Sequence, residues 1–317
     1  MKPLLRLIRF PNLVIVALTQ YLLQYAILLP EITKLGMLPV LPTFHFSLLV
    51  LSTVLIAAGG YVVNDIEDME IDKQNKPEHK RIVGRVYSLK TAWRIYGFCT
   101  VLGFIISLYL AFYVKDVIQF LIYPAAVGLL YAYSHWFKRQ PLTGNLVVSF
   151  FCAFVAWVVF YAQNLSPIFP LFLKTHWLDA VKMTFIGYAV FAFLSTLFRE
   201  IVKDIEDADG DRAGNCRTLP IVLGIPKSKI IAAIVGIVFL LFMVYFSFIL
   251  MEHPEGIGRG GHDWLKIIVL NITVSLPMIY ALFLLSKAND KKDFSYLSRL
   301  AKGIMLSGLI FILVMKI

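Results

Sequence analysis

The chain has 317 residues, 59% of them apolar and only 16% charged, and its mean hydropathy is +0.77. An ordinary soluble domain is roughly a quarter charged, so lipid rather than water is the main solvent and a soluble enzyme is excluded. The net charge of +10 would suggest a nucleic-acid partner in a soluble protein, but in a membrane protein Lys and Arg first set orientation, and no nucleic acid is expected here.

A membrane-spanning helix needs about 20 mostly apolar residues. Nine segments come near that length: 10–30, 44–63, 95–114, 117–134, 145–163, 181–198, 230–251, 267–285 and 300–316. The segments at 117–134 and 300–316 are the short ones. The first run starts at about Phe10 and shows no small-residue cleavage site before it continues, so it reads as a retained helix rather than a signal peptide. The expected fold is all-α, a polytopic membrane protein of about nine helices forming a single domain over residues 1–317.

With the N-terminus placed inside, 23 of the 30 basic residues fall in inside segments. Lys and Arg gather on the cytoplasmic side of membrane proteins, so this alternation supports the helix count and puts the C-terminus outside. The expected location is the cell (inner) membrane. Three cysteines occur, with no CxxC or CxxH spacing, so neither a disulfide framework nor a zinc site is indicated. Six histidines, His79, His135 and His253 among them, lack metal-ligand spacing and read as loop or interfacial residues.

The acids are very uneven. Eleven of the 20 lie in two short stretches, one after the second expected helix and one after the sixth, both on the expected cytoplasmic face. The first stretch carries Asn64, Asp65, Asp68 and Asp72. The second carries Asp204, Asp207 and Asp211. In each, three aspartates stand at i, i+3 and i+7, positions that share one face of a helix. Three carboxylates on one face repel one another unless a cation compensates them, and hard oxygen ligands suit Mg²⁺ or Mn²⁺. Mg²⁺ takes one or two carboxylates per ion and completes its shell with water and phosphate oxygens. Two such clusters suit two or more Mg²⁺ ions around one diphosphate, where the metals neutralise charge on the leaving group. Asp68 and Asp207, the middle members, are the expected catalytic pair. Basic residues flank both clusters, and Lys76, Arg81, Lys138, Arg199 and Lys203, with Arg9 and Asn12 at the first helix, are the candidate substrate contacts. A solvated membrane surface also carries acids, but two clusters of identical spacing on one side speak against that reading.

The segment Asn64–Asp72 resembles the NDxxDxxxD motif of the UbiA superfamily of intramembrane prenyltransferases. Asn75-Lys76-Pro77 and Gly84-Arg85-Val86 are similar to that family's continuation, and Arg199 to Asp211 to its second aspartate motif. Tyr133-Ser134 and Lys138 resemble its basic loop between the fourth and fifth helices. Where the family often reads Arg-Pro-Leu-Pro, this chain reads His79-Lys80-Arg81-Ile82-Val83. The resemblance implies nine transmembrane helices around a central cavity, Mg²⁺, a polyprenyl diphosphate donor that ionises to an allylic cation, a hydrophobic acceptor, and a side opening to membrane lipid. The second motif is most similar to the branch that prenylates geranylgeranylglyceryl phosphate. Two alternatives stay open: an aromatic acceptor of quinone, haem or chlorophyll synthesis, and a polytopic transporter. The transporter is disfavoured because intramembrane carboxylates of transporters lie within the apolar spans, whereas these lie at helix ends.

Overall fold

The computed structural model describes residues 3–34, 36–75, 78, 81–163, 176–252 and 263–315. The elements in chain order are α1 (Pro3–Leu7), α2 (Phe10–Leu22), a π-helical segment (Leu23–Leu28), α3 (Leu29–Lys34), α4 (Thr43–Glu67), α5 (Met69–Asn75), α6 (Leu89–Val114) and α7 (Val117–His135). A single 3₁₀ turn (Phe137–Arg139) leads to α8 (Thr143–Ala162), α9 (His176–Ala213), α10 (Leu219–Leu223) and α11 (Ile225–Glu252). Then come α12 (Asp263–Leu270), a second π-helical segment (Asn271–Ser275), α13 (Leu276–Lys287) and α14 (Lys291–Met315).

Eight stretches of described helix are long and apolar enough to cross a bilayer, each matching one of the expected segments. The segment expected at 117–134 is helical as α7, with Pro124 inside it, but is not one of the eight. Several spans outrun the apolar run that announced them. The helix expected over 44–63 continues to Glu67, and that expected over 181–198 continues to Ala213. Asp65 and Glu67 therefore lie on the last turn of α4, and Asp204, Asp207 and Asp211 within the last three turns of α9, not in free loops. Large apolar side chains such as Phe98, Phe112, Leu241 and Ile310 are more than half exposed. Water would penalise that surface; in a spanning helix it faces lipid chains.

The chain divides into two compact units. The first comprises Met1–Tyr21, Leu38–Arg139 and Ala213–Asn215. Its core at the acidic end is built from Leu7, Val62, Ile66, Val83 and Ala92, with Met69 and Tyr87 packed against it. Val62 and Ile66 are one turn apart, so α4 buries one stripe and leaves its acids on another. The turn after α5 needs Gly84, whose φ is +84° and whose N–H donates to the Tyr87 carbonyl at 2.8 Å. Small residues let the helices approach: a Cβ on Gly103 of α6 would lie 2.1 Å from the Tyr123 hydroxyl oxygen of α7.

The second unit comprises Leu22–Met37, Gln140–Arg212 and Cys216–Ile317. On α9, Phe198, Ile201, Val202, Ile205 and Ala208 are buried, a stripe that turns with the helix and leaves the aspartates beside it. Gly187 and Gly308 seat the rings of Phe246 and Phe191 respectively. Next to them lies an apolar cavity of about 440 Å³, counted with its open mouth, lined by Leu23, Ile27, Phe191, Phe246 and Phe311 among others.

Candidate active site

The first cluster is built at the α4–α5 junction. The i, i+3, i+7 spacing implied one continuous helix through Asp65, Asp68 and Asp72, and this is corrected by the structure. α4 ends at Glu67, and Asp68 sits between the two helices at φ −86° and ψ −2°. The break is slight, since the Asp68 N–H still donates to the Asn64 carbonyl at 3.0 Å and the Asp72 N–H to the Asp68 carbonyl at 2.7 Å.

Asp65, Glu67 and Asp68 each meet a basic side chain from another part of the chain. Arg9 approaches Asp65 with Nη2 3.4 Å from Oδ1, while its guanidinium lies 4.7 Å over the Tyr61 ring. Asn12 donates to the Tyr61 hydroxyl at 3.4 Å, so Arg9, Asn12 and Asp65 form one group around Tyr61. Arg9 takes the left-handed conformation, φ +49°, at the break between α1 and α2, which aims it at α4. Lys138, on the 3₁₀ turn after α7, places Nζ 2.7 Å from Asp68 Oδ1 and 3.3 Å from Asn64 Oδ1. Asn64 in turn donates Nδ2–H to Asp68 Oδ2 at 3.0 Å. Burial pushes the Lys138 ammonium below the usual lysine range, and Asp68 pulls it back up. His135 Nδ1 lies 2.9 Å from Glu67 Oε2, which fastens the end of α7 to the end of α4. His135 was expected as a loop or interfacial residue, and no sequence spacing signals this pairing.

Of the other candidates on this side, Arg81 stands in the segment after α5, its backbone N–H donating to the Glu78 carbonyl at 3.1 Å. Lys76 lies outside the described residues. Arg139 was not a candidate, yet its Nε is buried with no hydrogen-bond partner among the described residues. Glu70 points away, 71% exposed and paired with Lys73.

The second cluster keeps the expected geometry. α9 is continuous to Ala213, so Asp204, Asp207 and Asp211 do share a helix face. Asn145, in the first turn of α8, donates Nδ2–H to Asp204 Oδ2 at 2.8 Å. Thr218 donates its hydroxyl to Asp211 Oδ2 at 2.8 Å. Asp207 makes no hydrogen bond or ion pair with the described residues. Arg199 pairs with its neighbour Glu200, and Lys203 lies half-buried one turn further along. Asn145 and Thr218 were not singled out from the sequence, because a lone Asn or Thr at a helix start reads first as a cap.

The donor set at both clusters is oxygen only, the chemistry that fits Mg²⁺ and not a thiolate or imidazole metal. Among the described residues no three His, Cys, Asp or Glu side chains converge as a ready-made cage. Mg²⁺ does not require one, because it binds through one or two carboxylates and takes its other ligands from water and phosphate. The residues present therefore fit that ion.

These features define an all-α, polytopic integral membrane protein with an oxygen-ligand cluster at the end of one membrane helix in each unit. The chain belongs to the UbiA prenyltransferase family, whose model matches residues 35–303. A Sulfolobus acidocaldarius protein named digeranylgeranylglyceryl phosphate synthase is 36% identical over 194 residues, 61% of this chain and 62% of that protein. The chain thus spans about three fifths of the length of that curated relative. A solved structure described as "Structural and mechanistic insights into the biosynthesis of Digeranylgeranylglyceryl phosphate synthase in membranes" superposes with a TM-score of 0.63 at 23% identity, covering 99% of this chain and 98% of that one. A UbiA homolog from Archaeoglobus fulgidus bound to GPP and Mg²⁺ superposes with a TM-score of 0.56 at 17% identity, covering 98% of this chain and 99% of that one. Both structures share the fold.

Proposed function

We propose that the chain acts as a single catalytic domain that transfers a prenyl group, geranylgeranyl in the leading reading, from its diphosphate to a lipid acceptor of the geranylgeranylglyceryl phosphate type. The observation that carries this is the pair of carboxylate clusters, each terminating a membrane helix, in a chain of a prenyltransferase family. Asp65, Asp68 and Asp72 with Asn64, and Asp204, Asp207 and Asp211, would hold two or more Mg²⁺ ions, which would supply positive charge to the departing diphosphate. Arg9 and Lys138, which lie beside the first cluster, are assigned to the substrates' phosphates.

The isoprenoid chain needs an apolar path. Gly187, beside the cavity of the second unit, lies seventeen residues before Asp204 on α9, about 25 Å at 1.5 Å per residue. A chain anchored by its diphosphate near Asp204 and running along α9 would reach the apolar lining of that cavity with its far end. The acceptor in this reading is itself an anion. Arg199 and Lys203 are cations one turn apart beside the second cluster and are assigned to its phosphate. Support for this acceptor comes from the name of the Sulfolobus relative. Both clusters are assigned to the cytoplasmic side of the cell membrane.

The test is incubation of the purified protein in detergent or vesicles with labelled geranylgeranyl diphosphate, Mg²⁺ and either geranylgeranylglyceryl phosphate or 4-hydroxybenzoate at matched concentration. The expected product is the doubly prenylated glyceryl phosphate, and chelator abolishes it. Preference for the aromatic acid moves the protein to quinone synthesis; full turnover in excess chelator overturns the metal role.

A further inference from the structure

We infer that Lys138 is the resident counter-ion of the first carboxylate cluster, and that a divalent cation enters by displacing its ammonium from Asp68 and Asn64. The inference rests on the proposed function in one respect, that Asp68 and Asn64 hold a metal.

The geometry is that of an occupied cation site. Two oxygens from separate residues, Asp68 Oδ1 and Asn64 Oδ1, converge on one Nζ at 2.7 and 3.3 Å. The Asn64 amide is fixed by its own bond to the other carboxylate oxygen at 3.0 Å, so its oxygen faces the ammonium and not solvent. The Lys138 side chain is only 11% exposed and that of Asp68 24%, so the ammonium has exchanged most of its water for these protein oxygens. An exposed surface pair would be loosely held; this one is enclosed. The support under Lys138 is also fixed. The 3₁₀ turn that carries it follows directly on α7, whose last residue, His135, is held to Glu67.

An ammonium and a divalent ion cannot both use Asp68 Oδ1 and Asn64 Oδ1. They would be like charges a few ångströms apart on ligands that compensate only one negative charge. Metal entry therefore releases the lysine. The released ammonium remains on a short tether beside the metal, next to Arg139, whose buried Nε has no partner among the described residues. Both cations are then available to an anion arriving with the metal. In the absence of metal the same lysine keeps the crowded carboxylates compensated, which a bare acidic cluster at a helix end would not be. Removal of Lys138 should therefore tighten metal binding and weaken the hold on the arriving anion.

The experiment is titration of Mn²⁺ into the full-length purified protein without any diphosphate, with free Mn²⁺ read by electron paramagnetic resonance. Lys138→Gln should bind Mn²⁺ about tenfold more tightly than the unaltered protein, whereas Asp68→Asn should bind it more weakly and Glu70→Gln equally. Equal or weaker binding by Lys138→Gln overturns the inference. A second readout needs no variant. Lysine acetylation followed by mass spectrometry should show Lys138 protected in chelator and more reactive with Mn²⁺; reactivity indifferent to metal overturns the displacement. If neither protein binds Mn²⁺ even with inorganic pyrophosphate present, the metal reading of the cluster fails and this inference fails with it. Tight binding with unchanged Lys138 reactivity would spare the proposed function and sink only the displacement.

Discussion

Asn145 donates its side-chain amide to Asp204 across 2.8 Å, so the first aspartate of the second cluster is held from α8 and not by its own helix. Removing that donor leaves a carboxylate in a partly buried site without its amide. Such a loss costs about 1–3 kcal/mol. Asn145→Leu should lower the melting temperature in detergent and reduce prenyl transfer together. Unchanged stability and turnover would show that Asp204 has no need of the contact.

The two clusters also rank substitutions. Asp68 and Asp207 are the middle members, Asp68 held by Lys138 and Asn64 and Asp207 without a partner among the described residues. Asp68→Ala and Asp207→Ala should each cut the rate by on the order of 10²-fold or more, because each removes a ligand of the metal whose positive charge would stabilise the leaving group. Glu70→Ala removes a 71% exposed acid that pairs, among the described residues, with Lys73 and should leave the rate within a factor of about two. Three equal losses in steady-state assays would point to surface charge and not to a defined site.

Helix packing in the first unit is tight at one glycine and open at another. A Cβ on Gly103 would meet the Tyr123 hydroxyl oxygen at 2.1 Å, and that hydroxyl donates to the Thr100 carbonyl at 3.0 Å. Gly103→Ala should cost about 1–3 kcal/mol of stability by overpacking. Gly97→Ala, on the same helix with nothing within 4 Å of the new atom, should be neutral or mildly stabilising by helix propensity. Thermal melts of the two variants in one detergent compare them directly.

The assignment of both clusters to the cytoplasmic face is checked by labelling. Single cysteines at Glu70 and at Asp209, the latter 91% exposed, in a background with Cys99, Cys152 and Cys216 replaced by Ser or Ala should react with a membrane-impermeant reagent from the same side. Reaction from opposite sides would separate the clusters and remove the shared-site reading.

The sequence alone determined what depends on local periodicity. Long apolar runs gave the membrane helices, because a bilayer accepts only segments that satisfy their own backbone hydrogen bonds. The spacing of Asp204, Asp207 and Asp211 gave the second cluster its common face, because α9 is continuous there. The tertiary structure decided the rest. The partners of the cluster residues lie far away in the chain: Lys138 is 74 residues from Asn64, His135 is 68 from Glu67 and Asn145 is 59 from Asp204. No spacing rule reaches that far, since such pairs depend on which helix ends the packing of each unit brings side by side. The helix break at Asp68 belongs to the same class. The composition around it has no proline or glycine to announce an end, and the first cluster takes its shape from contacts with α7, the turn after it and Arg9, which only the folded chain supplies.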